Sequence, residues 1–518
     1  MTAPLHSPIA PPGLAGRRSL VEALAAVVAE HGERPALVEM EGGRPRLELT
    51  YAQFWARVQS TAQYLRTLGA YPGATVLNQL GNNATFLVAA FATWLEGAVH
   101  VGLDWDLTAA ELERIGSWAQ APVILSASPP ALTDMLKDRS TATLARREAI
   151  DALAEHHTPP LGAASADGRT LPRPEDPAIV FLTSGTTGTV KGALGRHGPV
   201  VFGWQELAKS LAFSAQDRHL VQLPLSHGFG LMTAVAALFS GGRLVIMDRF
   251  NATEAVQLIH DHAITVFNGT PTHFILLLQA LEPTRRLPSL RTGVVSAATL
   301  PADTRRDIFE RLGMGLMVLY GSSEGLSVRT QDRGDIMLGA VGRPPPGSLR
   351  IVDPKEEPVP PGSTGEIVLH CYMPVEYWRE PCAREIGSWY KTGDVGRVDA
   401  DGRLYVLGRV NDQVNRGGQK IEPGEVEAAL SDCQGVADCA VIGIADPVLG
   451  EILCACVVPA GAAPTLAELR QHAASQLARH KLPEAILVLA AIPRSRLGKI
   501  DRPTLRRLAD HAHCDRHR

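Results

Sequence analysis

Short apolar runs alternate along the chain with longer stretches in which apolar residues recur every three or four positions. The runs Val180–Thr183, Leu244–Met247, Thr265–Asn268, Gly293–Ser296 and Met317–Tyr320 predict buried strands. Between them, Thr253–His262 and Ala302–Leu312 carry helical spacing, and Ser19–His31 predicts a helix near the start. Strands alternating with helices predict α/β layers, with helices packed on the faces of sheets. From Ile351 to Val406 the pattern changes to short strands separated by Asp-Pro, Pro-Gly and Asp-Gly turns, which predicts a β-rich subdomain. A third pattern follows Gly408: a Gly-rich loop, a helix at Pro423–Ser431, strands at Ala440–Ile444 and Leu453–Val458, and a helix at Leu466–His480. The predicted division is a flexible lead over 1–18, a large domain over 19–410 and a small α+β domain over 411–518. The longest apolar stretch, Phe86–Leu103, is broken by Glu96, Gly97 and His100. It therefore predicts a buried helix leading into a strand rather than a membrane span, which needs about 20 apolar residues.

Composition narrows the function mainly by exclusion. The 518 residues carry 50 Lys plus Arg against 54 Asp plus Glu, a balance without the basic field that nucleic acid or an anionic membrane requires. Hydrophobic residues at 45% and charged residues at 20% describe a soluble globular chain. The N-terminus shows no charged segment followed by an apolar run, so a cytoplasmic location is expected. The seven cysteines include no C-x-x-C pair, and Cys454 and Cys456 alternate within an apolar run, as reduced core thiols would. His511, His513, Cys514 and His517 in the tail have metal-ligand side chains, but a frayed polar terminus accounts for them.

The segment with most chemical content is Phe181-Leu-Thr-Ser-Gly-Thr-Thr-Gly-Thr-Val-Lys-Gly192, directly after an apolar run. Glycines permit tight turns whose N–H groups surround an anion, the hydroxyls add donors, and Lys191 adds charge. A Walker A loop is excluded by spacing. Two residues separate Gly188 from Lys191, and Gly192 stands where that motif requires Ser or Thr.

The loop resembles the signature of the adenylate-forming superfamily of acyl-CoA synthetases, nonribosomal adenylation domains and luciferases. Further motifs follow in the family's order. They are Leu49-Thr-Tyr-Ala-Gln-Phe54, Ala92–Leu103, Leu223-Pro-Leu-Ser-His227, Tyr320-Gly-Ser-Ser-Glu-Gly325 and Tyr390-Lys-Thr-Gly-Asp394. Beyond these come Leu407-Gly-Arg-Val-Asn-Asp412, Arg416-Gly-Gly-Gln-Lys-Ile-Glu-Pro-Gly-Glu-Val-Glu427 and Pro493-Arg-Ser-Arg-Leu-Gly-Lys499. The similarity covers roughly residues 20–510.

The resemblance implies attack of a carboxylate on the α-phosphorus of ATP, giving acyl-AMP and pyrophosphate. It implies that Thr186, Thr187, Gly188 and Lys191 hold the β- and γ-phosphates, with Ser184 supporting the loop. Glu324 is implied as the Mg²⁺ ligand, a hard oxygen donor suited to that ion. Ser323 is expected at the α-phosphate, Tyr320 on adenine, Asp394 at the ribose hydroxyls and Arg409 at ribose or phosphate. Lys499 is the expected catalytic lysine, with Thr187, Glu324 and His227 acting beside it. The small domain is implied to be mobile, swivelling at Asn411, where the family usually has Asp or Lys. Gly418 and Lys420 fall where pantetheine would pass.

Amino-acid-activating relatives place an Asp one residue after His227, and here that residue is Gly228. An α-amino acid is therefore disfavoured. The segments Phe267–Phe274 and Val295–Thr299, expected to line the acid pocket, offer few charges, which favours a neutral aromatic or medium aliphatic acid. No carrier domain with a G-G-x-S site follows Lys499, so the acceptor is expected to be a separate molecule. CoA comes first, a discrete phosphopantetheinyl carrier protein second and a free amine third. A homodimer is compatible with the sequence. A nucleotide-binding relative without turnover is the reading from another class, set against intact Lys499, Glu324, Asp394 and Arg409.

Overall fold

The computed structural model describes residues 18–126, 143–146, 170–183, 191–322, 327–371, 376–380, 387–416, 419–474, 476–495, 498–511 and 515–516. Two mainly parallel sheets form the body. One runs in the order Thr143–Arg146, Val123–Ser126, Thr75–Gln79, Val99–Gly102, Pro177–Thr183 and Lys191–Arg196, with only the last strand antiparallel. The other runs Val266–Phe267, Arg218–Val221, Arg243–Met247, Pro35–Glu41 and Arg44–Thr50, parallel apart from its final hairpin.

The layer between these sheets is helical, and its most buried helix is Ala84–Leu95. Every residue of that helix is buried, so an element apolar all round sits where no face meets water. Its Phe91 and Trp94, with Tyr51, Phe54, Trp204 and Leu231 from neighbouring helices, join Val76 and Ile179 of one sheet and Leu37 and Leu244 of the other in one core. The strand Val99–Gly102 follows this helix directly, so Phe86–Leu103 is a buried helix and strand as expected. Among the described residues, no helix is long and apolar enough to cross a membrane.

A short sheet of Val294–Val295, Met317–Gly321 and Ser327–Thr330 carries Tyr320 at its rim. Next comes the antiparallel meander Leu349–Val352, Gly365–His370, Trp389–Val398 and Leu404–Arg409, which is the β-rich subdomain. A single 3-10 turn, Val410–Asp412, then leads into another sheet that begins at Val414–Arg416. In that last sheet the strands Val436–Asp446 and Gly450–Pro459 pair antiparallel over their whole length. Leu453, Ala455 and Val457 pack on one face, and Cys454 and Cys456 on the other with Leu505 and Ala509 of the helix Arg502–His511. The two thiols thus behave as small apolar side chains.

Two predicted helices differ in detail. The helix expected over Leu466–His480 ends at Ala473. The N–H groups of Gln476 and Leu477 both turn back to the Ala473 carbonyl, which lets Leu477 and Leu482 reach the core and leaves Arg479–Lys481 as a 3-10 turn. Pro483 follows, and a residue before proline is held out of helical geometry. The helix predicted over Ala302–Leu312 is α-helical to Asp307 and widens to a π turn over Ile308–Leu312, closed by Gly313.

Candidate active site

The strands Pro177–Thr183 and Lys191–Arg196 pair antiparallel with Thr183 opposite Lys191. Ser184, Thr186, Thr187 and Gly188 lie outside the described residues, as do Ser323, Glu324 and Gly418. Lys191 begins the return strand with its ammonium 6.0 Å from the centroid of the Tyr377 ring. The segment around Tyr377 extends this edge. Trp378 donates its N–H to the Gly192 carbonyl at 2.8 Å, and Leu194 donates to Glu376 at 2.9 Å. Arg196 grips the Glu376 carboxylate through Nε and Nη2, both at 2.7 Å.

Tyr320, Asp394 and Arg409 form one cluster. The Tyr320 hydroxyl donates to Asp394 Oδ2 at 2.7 Å, and Arg409 Nε lies 3.0 Å from Oδ1. Neighbouring antiparallel strands place Asp394 directly opposite Arg409, so their meeting follows from register. Burial, and then the Asp394 charge, push the Tyr320 hydroxyl pKa far above its usual value, which keeps it a donor. Each carboxylate oxygen has two acceptor directions, so Asp394 retains capacity for further donors.

Lys499 comes to this cluster from the far end of the chain. Its hairpin is closed by Ser495 donating to the Lys499 carbonyl at 2.7 Å and by Gly498 donating to Ser495 at 2.8 Å. The residue is exposed, yet protein packs about its ammonium closely enough to remove part of its hydration. That enclosure, and next the charge of Arg409, hold its pKa below the usual lysine value, with Asp394 opposing. The cause ties Lys499 electrostatically to a pair 90 and 105 positions earlier in the numbering.

His227 precedes the helix Gly228–Phe239. Its Nε2 lies 3.3 Å from Asp104 Oδ1, and the Ser226 hydroxyl donates to the same oxygen at 2.7 Å. Asp104 was not singled out by sequence; its signal is that it directly follows the Ala92–Leu103 motif. A Cβ at Gly228 would come within 3.1 Å of the Phe181 ring, so the aspartate of amino-acid-activating relatives would be crowded here. The expected acid-pocket segments divide. Phe267, Phe274 and Val295 are buried in the core, whereas Ala298 and Thr299 are exposed. Those aromatic rings pack edge to face at 5.1 Å and so belong to the scaffold. Asn411 is exposed within its 3-10 turn, and Lys420 lies on the strand Gln419–Ile421.

No group of three His, Cys, Asp or Glu placed to hold a metal ion occurs among the described residues. Magnesium held by one carboxylate, substrate phosphates and water needs no such group.

The family model described as "AMP-binding enzyme" matches residues 24–373, and its C-terminal counterpart matches 425–499. The chain belongs to the AMP-binding enzyme family. This enzyme is 32% identical over 472 residues to a feruloyl-CoA synthase from an Amycolatopsis species, covering 89% of this chain and 94% of the relative. It is 32% identical over 495 residues to a salicylyl-CoA synthase / salicylate adenylyltransferase from a Streptomyces species, with 88% of each covered. Among solved structures, ATP-bound MatB from Rhodopseudomonas palustris superposes with a TM-score of 0.82 at 26% identity, covering 94% of this chain and 98% of that one. The large layered domain and small C-terminal α+β domain are those of the adenylate-forming superfamily.

Proposed function

We propose that the enzyme is an AMP-forming acid–thiol ligase acting on a neutral aromatic or medium aliphatic acid. The substrate carboxylate attacks the α-phosphorus of ATP and pyrophosphate leaves. The thiol of CoA then attacks the acyl carbon and displaces AMP. Two anions meet in the first step, so oriented positive charge is the main demand on the protein. Lys499 answers it at the acid carboxylate and α-phosphate, Lys191 and the 184–188 loop at the outer phosphates, and Asp394 at the ribose. Ser323 and Arg409 assist at the α-phosphate and ribose, and Tyr320 stacks on adenine. Glu324 would hold Mg²⁺ beside the triphosphate, where the ion neutralises charge on the leaving group. His227, braced by Asp104, stands at the acid pocket. The large domain ends near 410, and Asn411 is the swivel that lets residues 411–518 turn after adenylation and bring Gly418 and Lys420 to pantetheine. The buried thiols fit a reducing, cytoplasmic setting.

The observation that carries the reading is the gathering of Lys499 with Arg409, Asp394 and Tyr320 from distant stretches of chain. The names of the CoA-forming relatives support the thiol acceptor. The crowding at Gly228 by Phe181 supports a substrate without an α-ammonium.

The test is acid-dependent ATP–pyrophosphate exchange across an acid panel. Mass analysis of products follows, with CoA, a phosphopantetheinyl carrier protein or an amine supplied separately. Thioester only with CoA is the expected result, and an amide product would replace the acceptor half of the reading. Lys499→Ala should abolish exchange while thioester formation from preformed acyl-adenylate survives. Normal exchange by that variant would remove Lys499 from the first step.

A further inference from the structure

Gly498 meets the large domain at one turn. Its φ is +72°, a conformation that L side chains rarely adopt. A Cβ added there would lie 2.6 Å from Thr272 Oγ1 and 3.0 Å from Thr270 Oγ1. The Thr272 hydroxyl reaches the Gly498 carbonyl at 3.4 Å, and Arg494 Nη1 donates to the same oxygen at 3.2 Å. Arg494 is itself anchored to Asp438 through contacts of 2.8 and 2.9 Å.

The receiving side is equally organised. Thr270 precedes the helix Pro271–Ala280, and both its N–H (3.4 Å) and its hydroxyl (2.8 Å) meet His273 Nδ1. For Nδ1 to accept both, the imidazole must be neutral, and burial lowers its pKa to about 4. The other face of His273 lies against Phe250, with ring centroids 4.6 Å apart. A small cleft of about 180 Å³ remains where Phe250, Thr272 and His273 face Arg494, Ser495 and Gly498.

We propose that the Thr270–Thr272 turn, braced by His273, is the seat for the Lys499 hairpin, and that the side-chain-free fit of Gly498 there holds the small domain in its adenylating position. The inference rests on reading the chain as an adenylate former that uses Lys499 in the first step. Gly498 is next to Lys499 in sequence, so its contact sets how far the ammonium enters the cleft. Thr270, Thr272 and His273 are positioning residues. Thr270 and Thr272 meet the hairpin and His273 braces Thr270, while none of the three is placed at the reacting atoms.

Two measurements test the seat. The first is independent of activity. The double variant Thr272→Cys/Ser495→Cys, which leaves Gly498 intact, is treated with a short bis-maleimide, each alkene adding one thiol. Residues 272 and 495 line the same small cleft, so the linker can bridge them. A cross-linked peptide joining 272 to 495 is expected, and its absence after full modification of both thiols would overturn the seat.

The second is a split of half-reactions. Gly498→Ala should cut acid-dependent exchange about tenfold or more, the effect of about 1.4 kcal/mol of lost positioning. It should leave thioester formation from supplied acyl-adenylate within about twofold, because that step requires no contact at the seat. Adding Thr272→Ala to Gly498→Ala should recover part of the exchange by making room for the methyl group. Equal loss in both half-reactions, or no loss in either, would overturn the proposal. If the 272–495 link forms but no acid supports exchange in the parent enzyme, the seat stands and the proposed function falls. If exchange is normal in both Gly498→Ala and the parent, the function stands and the seat falls.

Discussion

At the residue scale, the candidate nucleotide site turns on one carboxylate. Asp394 is held from one side by the Tyr320 hydroxyl and from the other by Arg409, and it is 15% exposed against 60% for the arginine. That asymmetry makes Asp394 the enclosed member of the pair, and its removal leaves both partners without their acceptor. Under the proposed function, Asp394→Ala should raise the KM for ATP about 10- to 100-fold, the range for hydrogen bonds to a charged group. Tyr320→Phe deletes a single hydroxyl and leaves the ion pair with Arg409, so a rise of about 3- to 10-fold is expected. Steady-state kinetics at saturating acid separates the two. An equal effect of both substitutions would mean that Asp394 adds nothing to nucleotide binding beyond holding Tyr320.

His219 shows the opposite case, a polar ring with no functional partner in view. Both its nitrogens are buried without a hydrogen-bond partner, and the ring packs edge-on against Phe213 at 4.6 Å. Burial drives its pKa to about 3, so the folded protein holds it neutral, whereas the unfolded chain binds a proton near 6.5. His100 behaves likewise at about 3, and His197 at about 4. A depressed folded pKa gives stability that is complete above 6.5 and is lost as pH falls toward the folded value. Thermal midpoints should therefore drop between pH 7 and pH 5, before the carboxylates titrate. His219→Leu should flatten that drop by up to ~1.4 kcal/mol per pH unit, one proton's share. An unchanged slope would mean that His219 is protonated in the fold.

At the scale of elements, the strand Lys191–Arg196 is tied to a segment almost two hundred residues later. The Arg196–Glu376 pair and the two backbone bonds at Gly192 and Leu194 extend the sheet with residues 376–378. This places the β-rich region against the return strand of the loop and brings Tyr377 to Lys191. Glu376→Ala should cost about 1 kcal/mol of stability, since both side chains keep some contact with water. It should also raise the KM for ATP by loosening the strand that starts at Lys191. A fall in melting temperature with KM unchanged would confine the pair to a structural role.

Element boundaries were legible where periodicity and chemistry agreed. The strands at Leu244–Met247 and Met317–Tyr320 and the helix at Pro423–Ser431 appear within a residue or so of their predicted bounds. The helix expected through His480 was misread because Ala-rich composition favours helix locally. Burying Leu477 and Leu482 required the chain to turn after Ala473. Phe267 and Phe274, the ends of one segment expected to line the acid pocket, pack within the core. An apolar side chain in sequence does not reveal whether its neighbours are a cavity or a core.

At the scale of the whole molecule, the two parallel sheets with their shared helical layer form a large rigid core. The small C-terminal sheet carries its own packed faces. Between them lies only the turn Val410–Asp412, so a swivel there would disturb neither core. Asn411→Pro fixes one backbone angle and restricts Val410 before it. Under the proposed function, in which only the second step requires the swivel, the expected outcome is exchange within about threefold of the parent and thioester formation reduced about tenfold or more. Equal activity in both steps would place the hinge elsewhere.

The sequence by itself determined the family, the order of the motifs and the chemical types that must meet. Those properties are local: a Gly-rich turn, a lysine between Gly498 and Ile500, or a carboxylate after Thr-Gly is written in consecutive residues. Tertiary structure alone decided the relations between motifs. It pairs Asp394 with Arg409 through strand register, brings Lys499 to both, and braces His227 with Asp104. It also turns Phe267 and Phe274 into scaffold and makes Thr270–Thr272 the surface on which Gly498 rests. The physical reason is common to all of these. Contacts between distant segments depend on how sheets and helices pack, and no spacing along the chain encodes which surfaces will finally face one another.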